Sequence, residues 1–410
     1  MIQPNFLAVE NFRSIKIQRA DFAPITVFYG ANGTGKSSLL YSLLLMKNVI
    51  LNLERQSSDF YNLGFTNLGD FRAVVHGHNL DESIRLYLKM NLFNYPVTWG
   101  MQIRKDAVHF SLQIHEEEKN IDLGVTHGLP YKALGNQKGG TYFRQTNMSF
   151  TWNGIKGQTT ANPTDLDRRK APGNANLFAE IMNTPARLMR NIAIAPLQMA
   201  FSRGEHSIAT DGTSLNSSLY FSEDEIGTLL ATRKYLQSPV SHYLEDITNR
   251  TLRVFSPPGD SNFSIDVEDR STGLETELVN DGYGVNRIAW LLTLTLHDET
   301  DWMCIEEPET HLHPSAIRKL MHTFVEIIHK EEKRFLLTTH SETLILALLS
   351  EVVRGNLQPE DVAFYLTRKE GKETYFERQE VNEHGQVEGG LSGFMEGELE
   401  EVATFFEQAN

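Results

Sequence analysis

The chain has 410 residues, of which 40% are hydrophobic and 22% charged, and its formal net charge is −15. This length exceeds one ordinary hydrophobic core, so we expect two or three structural units in a soluble globular protein. The acidic excess argues against a protein whose whole surface attracts nucleic acid, although it permits a local basic patch.

Membrane and secretory signals are missing from the sequence pattern. No apolar run approaches the roughly 20 residues of a membrane span, and the segment after Met1 has no signal-peptide pattern. The one cysteine, Cys304, excludes an intrachain disulfide and fits a reducing compartment. We therefore expect a cytoplasmic protein with no membrane partner.

The first predicted elements lead into a glycine-rich loop. Residues 6–23 alternate apolar and polar around Asn11-Phe12-Arg13-Ser14, which predicts an antiparallel pair. The apolar run Ile25–Tyr29 then predicts a strand, and residues 38–53 have a helical period.

Between this strand and helix stands Gly30-Ala31-Asn32-Gly33-Thr34-Gly35-Lys36-Ser37. In the order strand, loop, helix, backbone N–H groups and the helix N-terminus converge on one anion. Lys36 would reach the β- and γ-phosphates, and the Ser37 hydroxyl would bind Mg²⁺. A plain glycine-rich turn is the alternative, and the flanking elements disfavour it. The loop predicts binding of ATP with Mg²⁺.

The middle of the chain contains strands, then an insertion, then helices. Residues 81–116 alternate as in an antiparallel meander, whereas residues 116–190 lose their period and include the glycine-rich stretch 135–140. Residues 192–197 are apolar and could return the chain to a sheet, Ser222 to Asn249 predict helix with a Ser222/Glu225 capping box, and residues 251–279 alternate again. Residues that could form a local nucleic-acid patch, or more simply a solvated helix face, are Arg168, Arg169, Lys170, Arg187 and Arg190.

Two later strands carry candidate catalytic groups at their ends. Residues 302–306 form an apolar strand that ends in adjacent carboxylates, so Glu306 can face Mg²⁺ while Glu307 acts as general base. Residues 334–339 form another strand, followed by His340. Ligands bind at the carboxyl ends of parallel strands, so the glycine-rich loop, these carboxylates and His340 are predicted to share one rim. An acidic loop with a structural histidine is the alternative.

A second glycine turn, Gly282-Tyr283-Gly284, precedes the helical run 288–294. Glycines before a helix again create an N-terminus that can bind phosphate. One nucleotide does not need two such turns from one chain. The inference is that the two turns come from two molecules and that the protein is a dimer or higher homo-oligomer.

The order of these motifs resembles the ABC-class ATPases of the recombination and chromosome-maintenance branch. More narrowly, it resembles the compact bacterial group of AAA-15 and AAA-21 type that shares its ATPase head with the overcoming-lysogenization-defect proteins and often acts in anti-phage defence. The resemblance covers roughly residues 1–80 and 190–395. It implies a P-loop ATPase head with a mixed core sheet, an antiparallel β subdomain and a central insertion, an α/β fold divided into residues 1–115, 116–250 and 251–410.

The resemblance also assigns site residues. It makes Glu306 the Walker B acid, Glu307 the catalytic base and His340 the switch histidine, and it makes Thr310 to Pro314 the D-loop. Asp70 is the nearest candidate for the metal-binding Q-loop residue. The Walker A residues, the other nucleotide-binding residues of the first lobe and the signature residues are Gly30, Asn32, Gly33, Gly35, Lys36, Ser37, Ser38, Arg13, Gly282, Gly284 and Asn286.

This chain departs from the family at two places. Relatives usually have Ser-Gln where it has Asn286-Arg287, and an arginine where it has Gln198; the first change could slow turnover. Glu309, His311 and His313 also resemble a metal cluster by residue type, a weaker alternative to the D-loop.

The resemblance implies an ATPase that dimerises around ATP and regulates a protein effector, such as a nuclease encoded beside it, in anti-phage defence or DNA maintenance. A slow-hydrolysing nucleotide sensor is the alternative. A nuclease is less favoured because only about seventy residues follow His340. Of these, residues 362–366 and 374–378 predict strands of a small cap, and the acidic stretch 396–401 predicts a solvated helix.

Overall fold

The computed structural model describes residues 4–53, 57–115, 120–129, 148–161, 171–209, 214–215, 218–257 and 261–388. The insertion stretch 135–140, the basic residues Arg168 to Lys170 and the acidic stretch 396–401 lie outside these ranges.

A six-stranded mixed sheet forms the centre of the molecule. Its strands lie in the order β10-β15-β16-β3-β17-β18, and only the β17/β18 pair is antiparallel. The strands are β3 (Ile25–Tyr29), β10 (Ile192–Ala195), β15 (Trp302–Glu306), β16 (Arg334–Thr339), β17 (Val362–Glu370) and β18 (Glu373–Gln379).

A second six-stranded sheet is fully antiparallel, in the order β2-β1-β4-β5-β6-β7. Its strands are β1 (Pro4–Phe12), β2 (Ile15–Asp21), β4 (Ile84–Leu92), β5 (Tyr95–Ile103), β6 (Ala107–His115) and β7 (Asn120–Gly128). Smaller sheets are the hairpin of β8 (Met148–Trp152) with β9 (Gly157–Ala161), and a sheet of β11 (Glu205–Ser207), β12 (Arg250–Phe255), β13 (Asn262–Asp269) and β14 (Glu275–Glu277).

The helices connect and cover these sheets. They are α1 (Lys36–Asn52), α2 (Phe71–Val74), α3 (Ala171–Arg190), α4 (Glu223–Thr232), α5 (Lys234–Thr248), α6 (Tyr283–Leu296), α7 (Pro314–Glu331) and α8 (Glu342–Val353). None of the helices in the described ranges is both long and apolar enough to cross a membrane.

The strands β10, β15, β16, β3 and β17 of the central sheet are buried on both faces, because alternate residues of each strand enter different cores. From β3, Phe28 joins the core formed with α1, α3 and the antiparallel sheet. Its neighbours Val27 and Tyr29 join the core formed with α4 to α8. Cys304 and Met303 of β15 divide in the same way. This layering confirms the predicted α/β fold class.

Several elements match the sequence predictions, and others extend them. The meander, the returning strand β10 and the Ser222/Glu225 capping box are all present. Strand β7 pairs with β6, so the antiparallel sheet continues beyond the boundary expected at residue 115.

The prediction that residues 362–366 and 374–378 form a small cap was wrong. Strand β17 pairs in parallel with the P-loop strand β3, which places β17 and β18 in the central sheet.

Helix α1 contains one lysine that is fully buried in the packed structure. The Nζ atom of Lys47 donates to the Ile192 carbonyl oxygen over 2.6 Å. Burial lowers the pKa of Lys47 to about 7, although the neighbouring Cys304 and Glu299 favour its charged form. In the unfolded chain the pKa would return to about 10.4.

Between these two pKa values the unfolded state binds more protons, so this lysine makes the unfolding free energy rise with pH by at most about 1.4 kcal/mol per unit. We expect the stability advantage of Lys47→Met over the wild type to be largest below pH about 7 and to shrink towards pH about 10. Thermal denaturation across this range measures it, with the exposed Lys369→Met as control. A stability difference that does not change with pH would contradict the lowered pKa of Lys47.

Candidate functional site

The loop after β3 has the backbone that its glycines predict. Gly30, Gly33 and Gly35 have φ values of 140°, 76° and 100°, which L side chains rarely adopt. A Cβ on Gly30 would lie 2.5 Å from the Thr367 carbonyl oxygen, and one on Gly35 would collide with the Thr374 hydroxyl. The chain therefore requires glycine here for close packing against β17 and β18 as well as for the turn.

Lys36 is the first residue of α1 and is buried within the loop. Its Nζ atom donates to the carbonyl oxygens of Gly30 and Ala31 over 2.8 and 2.9 Å. Burial lowers the pKa of Lys36, while the charges of Glu307 and Glu309 act in the opposite direction. The ammonium thus stands in the loop with only neutral hydrogen-bond acceptors, and an anionic ligand would stabilise it further.

The N-terminus of α1 is open to an anion. Gly35 at the N-cap offers no side-chain cap, and the first turn contains no acidic residue. Ser38 is buried, and its N–H donates back to the Gly35 carbonyl oxygen over 2.9 Å. Asn32 and Gly33 lie exposed at the tip of the loop. This is the geometry of a phosphate-binding helix N-terminus.

Tyr41, one turn after Ser37, is a site residue that the sequence reasoning missed. Burial raises its pKa, and so do the charge of the Glu306 carboxylate and its hydrogen bond to the hydroxyl. A hydrogen bond to Ser37 and the nearby Arg13 act in the opposite direction. The Arg13 guanidinium lies 5.3 Å from the Tyr41 ring centroid. The i, i+4 spacing from Ser37 was the signal in the sequence.

The carboxylates follow β15 at the predicted rim. Glu306 is buried at the strand end, and Glu307 follows with a left-handed φ of 47°. Its Oε1 atom lies 3.2 Å from Nδ1 of His340, whose side chain is 51% exposed. Serine and carboxylate oxygens are the hard ligands that Mg²⁺ prefers, so Ser37 and Glu306 fit this ion.

Strand order brings these groups together. Strand β16 lies between β3 and β15, with Thr339 opposite Tyr29 and Thr338 opposite Glu306. All three strands are parallel, so the loop, the carboxylates and His340 follow carboxyl ends at one edge of the sheet. The predicted shared rim is present in the structure.

Glu309 is a second buried carboxylate that the sequence did not single out as part of this rim. Its Oε1 atom accepts a hydrogen bond from the Thr339 hydroxyl over 2.5 Å, and its Oε2 atom is buried without a partner among the described residues. Burial raises the pKa of Glu309, and the Thr339 hydroxyl partly offsets this. Burial thus shifts this carboxyl towards its neutral form relative to an exposed glutamate.

The second glycine turn lies at the start of α6. Gly282 is the exposed N-cap with a φ of 126° and no side-chain cap. A Cβ on Gly284 would lie 2.7 Å from the His311 carbonyl oxygen, and the Tyr283 and His311 rings meet edge to face at 4.7 Å. The turn is thus packed on the 309–313 loop of its own chain, while Gly282 itself is exposed.

Two predicted ligands have other partners in the structure. Asn286 is buried, and its side chain both donates to and accepts from the backbone of Phe201 over 2.7 Å, so in this conformation it is not presented to a nucleotide. Asp70 caps α2 by accepting from the Ala73 N–H over 2.9 Å. These contacts give both residues structural roles, which spacing alone did not predict.

The remaining candidates also have local partners. His313 caps α7 through the Ser315 N–H, and among the described residues no three His, Cys, Asp or Glu side chains form a metal-binding group. Arg187 pairs with Glu180 at 3.5 Å on the exposed face of α3, and burial lowers the pKa of Arg190. Arg187 therefore has an acidic neighbour on its own helix.

A comparison with known families decides the classification. The family model described as AAA ATPase domain matches residues 5–126 and 173–345, well over half of the chain. The chain belongs to this ATPase family. The predicted membership of an ATPase group of AAA-15 type is thereby confirmed, while the anti-phage role stays a prediction.

Solved structures similar to this ATPase include SMC head domains. One is the head domain from Thermotoga maritima, at 10% identity and a TM-score of 0.41, covering 92% of this chain and 100% of that one. Another is an SMC head with an extended coiled coil bound to the C-terminal domain of ScpA, derived from Pyrococcus furiosus, at 10% identity, a TM-score of 0.48 and full coverage of both chains. A search of curated proteins found no significant match.

Proposed function

We propose that this ATPase binds Mg·ATP between two copies of the chain and hydrolyses it, so that closing and opening of the dimer regulates a protein partner. The observation that carries the proposal is the presence of two helix N-termini, at Gly35 and Gly282, that have no side-chain cap and have separate surroundings. The P-loop is flanked by Ser14, Thr367 and Thr374, whereas the turn at Gly282 is flanked by the 309–313 loop. The residues that contact the P-loop and those that contact the turn at Gly282 have no member in common.

The glycine-rich loop at residues 30–37 and the residues around it would hold the triphosphate. Lys36 would exchange the carbonyl oxygens of Gly30 and Ala31 for the β- and γ-phosphate oxygens, which carry full charge. Ser37 and Glu306 would hold the metal ion, with Tyr41 orienting both. A bound Mg²⁺ supplies neutralisation of the charge on the β- and γ-phosphates.

The carboxylate loop would carry out the proton transfer. Glu307 is the partly exposed carboxylate of the rim and would accept a proton from the attacking water. His340 lies within reach of the same carboxylate and would orient it or the γ-phosphate. The glycine turn of the second copy would close the site by donating N–H groups to the γ-phosphate.

The wider role is also part of this proposal. A protein effector, for example a nuclease encoded alongside, would respond to dimer closure in the cytoplasm, in anti-phage defence or DNA maintenance. A slow-hydrolysing nucleotide sensor is the second candidate, and the occupied side chain of Asn286 favours it.

Steady-state ATP hydrolysis by the purified chain, with and without Mg²⁺, tests the proposal. We expect phosphate release that depends on Mg²⁺. Binding of ATP without measurable turnover would favour the sensor, and failure to bind ATP at all would contradict both candidates.

A further inference from the structure

Arg287 joins the second glycine turn to the catalytic rim. It is the fifth residue of α6 and is only 3% exposed. Its Nη2 atom donates to the main-chain carbonyl oxygen of Glu306 over 2.6 Å. A buried guanidinium that bonds to backbone fixes the distance between two elements, here the start of α6 and the end of β15.

The bonded carbonyl belongs to the peptide unit that precedes Glu307. The N–H of the same peptide donates to the Thr338 carbonyl oxygen in β16 over 2.8 Å. Both polar ends of this peptide are therefore held, immediately before the left-handed Glu307. Because φ of Glu307 is measured from this peptide plane, the orientation of the plane sets the direction of the Glu307 side chain.

The same helix end also contacts the chain beyond Glu307. Gly284 leaves room for the His311 carbonyl oxygen, and Tyr283 packs on the His311 ring. The glycine turn and the 306–311 segment are thus connected on both sides of the catalytic carboxylate. A displacement of the turn must be accommodated by this segment.

Arg287 also has a second hydrogen-bond donor, which is unused among the described residues. Its Nη1 atom and the Oε2 atom of Glu309 are both buried and both without a hydrogen-bond partner among the described residues. The carboxylates of Glu306, Glu307 and Glu309 all act electrostatically on the guanidinium. Buried polar atoms usually have partners, so the guanidinium and the Glu309 carboxyl each keep an unused hydrogen-bonding atom beside this segment.

We propose that Arg287 is the positioning residue that holds Glu307 in its catalytic direction and couples that direction to phosphate binding at the Gly282–Gly284 turn. This inference rests on the proposed function and names the regulation of the same site. Arg287 itself touches neither nucleotide nor water in this role.

The test compares Arg287→Met and Arg287→Lys with the wild type. Arg287→Met is expected to lower kcat by about 10- to 100-fold, with KM for ATP changed by less than about threefold, because only the carboxylate is misplaced. Arg287→Lys should recover part of the loss, since lysine keeps one donor but lacks the planar fork. Arg104→Met, at an exposed arginine in the β5–β6 turn, is the matched control and should retain wild-type kinetics.

Amide hydrogen exchange supplies a readout that does not depend on turnover. Faster exchange at residues 305–309 of Arg287→Met, with unchanged exchange in β3, supports the inference. This holds even if the wild type hydrolyses no ATP, because a lack of hydrolysis would refute only the proposed function. Unchanged exchange together with wild-type kcat overturns the inference. If Arg287→Met does not fold, the same two measurements on Arg287→Lys decide in the same way.

Discussion

Replacing Lys36 with alanine is expected to abolish productive ATP binding. The ammonium is buried at the start of α1 and bonds only to neutral carbonyl oxygens of its own loop. A triphosphate offers stronger, charge-assisted acceptors, and the Lys36→Ala chain lacks the donor for them. We expect the affinity for ATP to fall by at least about 100-fold, which corresponds to about 2.7 kcal/mol.

Equilibrium titration with a fluorescent ATP analogue measures this effect. The control is Lys372→Ala, which removes an exposed lysine from the β17–β18 turn and should bind as the wild type does. Because the two loop carbonyls lose their donor, a small fall in thermal stability should accompany the loss of binding. Wild-type affinity in Lys36→Ala would show that the loop does not hold the phosphates.

Replacing Glu307 with glutamine is expected to stop hydrolysis while preserving ATP binding. The amide has the size of the carboxylate and can remain beside His340, but it cannot accept a proton from water. Single-turnover hydrolysis should fall by about 100-fold or more. The unhydrolysed nucleotide should then hold two copies together, giving an ATP-dependent dimer in sedimentation velocity.

Glu309→Gln provides the comparison for this variant. The amide has the size of the Glu309 carboxyl and can still accept the hydrogen bond from the Thr339 hydroxyl, so this variant should reduce hydrolysis much less. Equal sedimentation of Glu307→Gln with and without ATP would contradict the proposed dimer. Equal hydrolysis by Glu307→Gln and the wild type would remove Glu307 from the base role.

The sequence was most informative where a motif is local. The Walker A loop and its helix, the strand before Glu306 and Glu307, and the strand before His340 are each defined by a few adjacent residues. Their meeting at one edge could also be predicted, because parallel strands present their carboxyl ends together. The structure places them on the neighbouring strands β3, β16 and β15.

The pairing of strands that are far apart in the sequence could not be predicted from local sequence patterns. The segment at residues 362–379 alternates like a free hairpin, yet β17 pairs with β3 across more than 300 residues of chain. The contacts of Asn286 with Phe201 and of Arg287 with Glu306 likewise depend on how α6 packs. Residue type alone cannot tell a buried amide that holds backbone from one that binds phosphate.

The measurement that tests composite sites most directly mixes two inactive variants. Lys36→Ala removes the ammonium that would bind phosphate in the glycine-rich loop. Gly282→Asp places a carboxylate at the open N-terminus of α6, where it repels phosphate. Each variant alone should be inactive. In a mixture, mixed dimers carry one intact site, so the account predicts hydrolysis recovering to about a quarter of the wild-type rate. A mixture no more active than its separate components would contradict it.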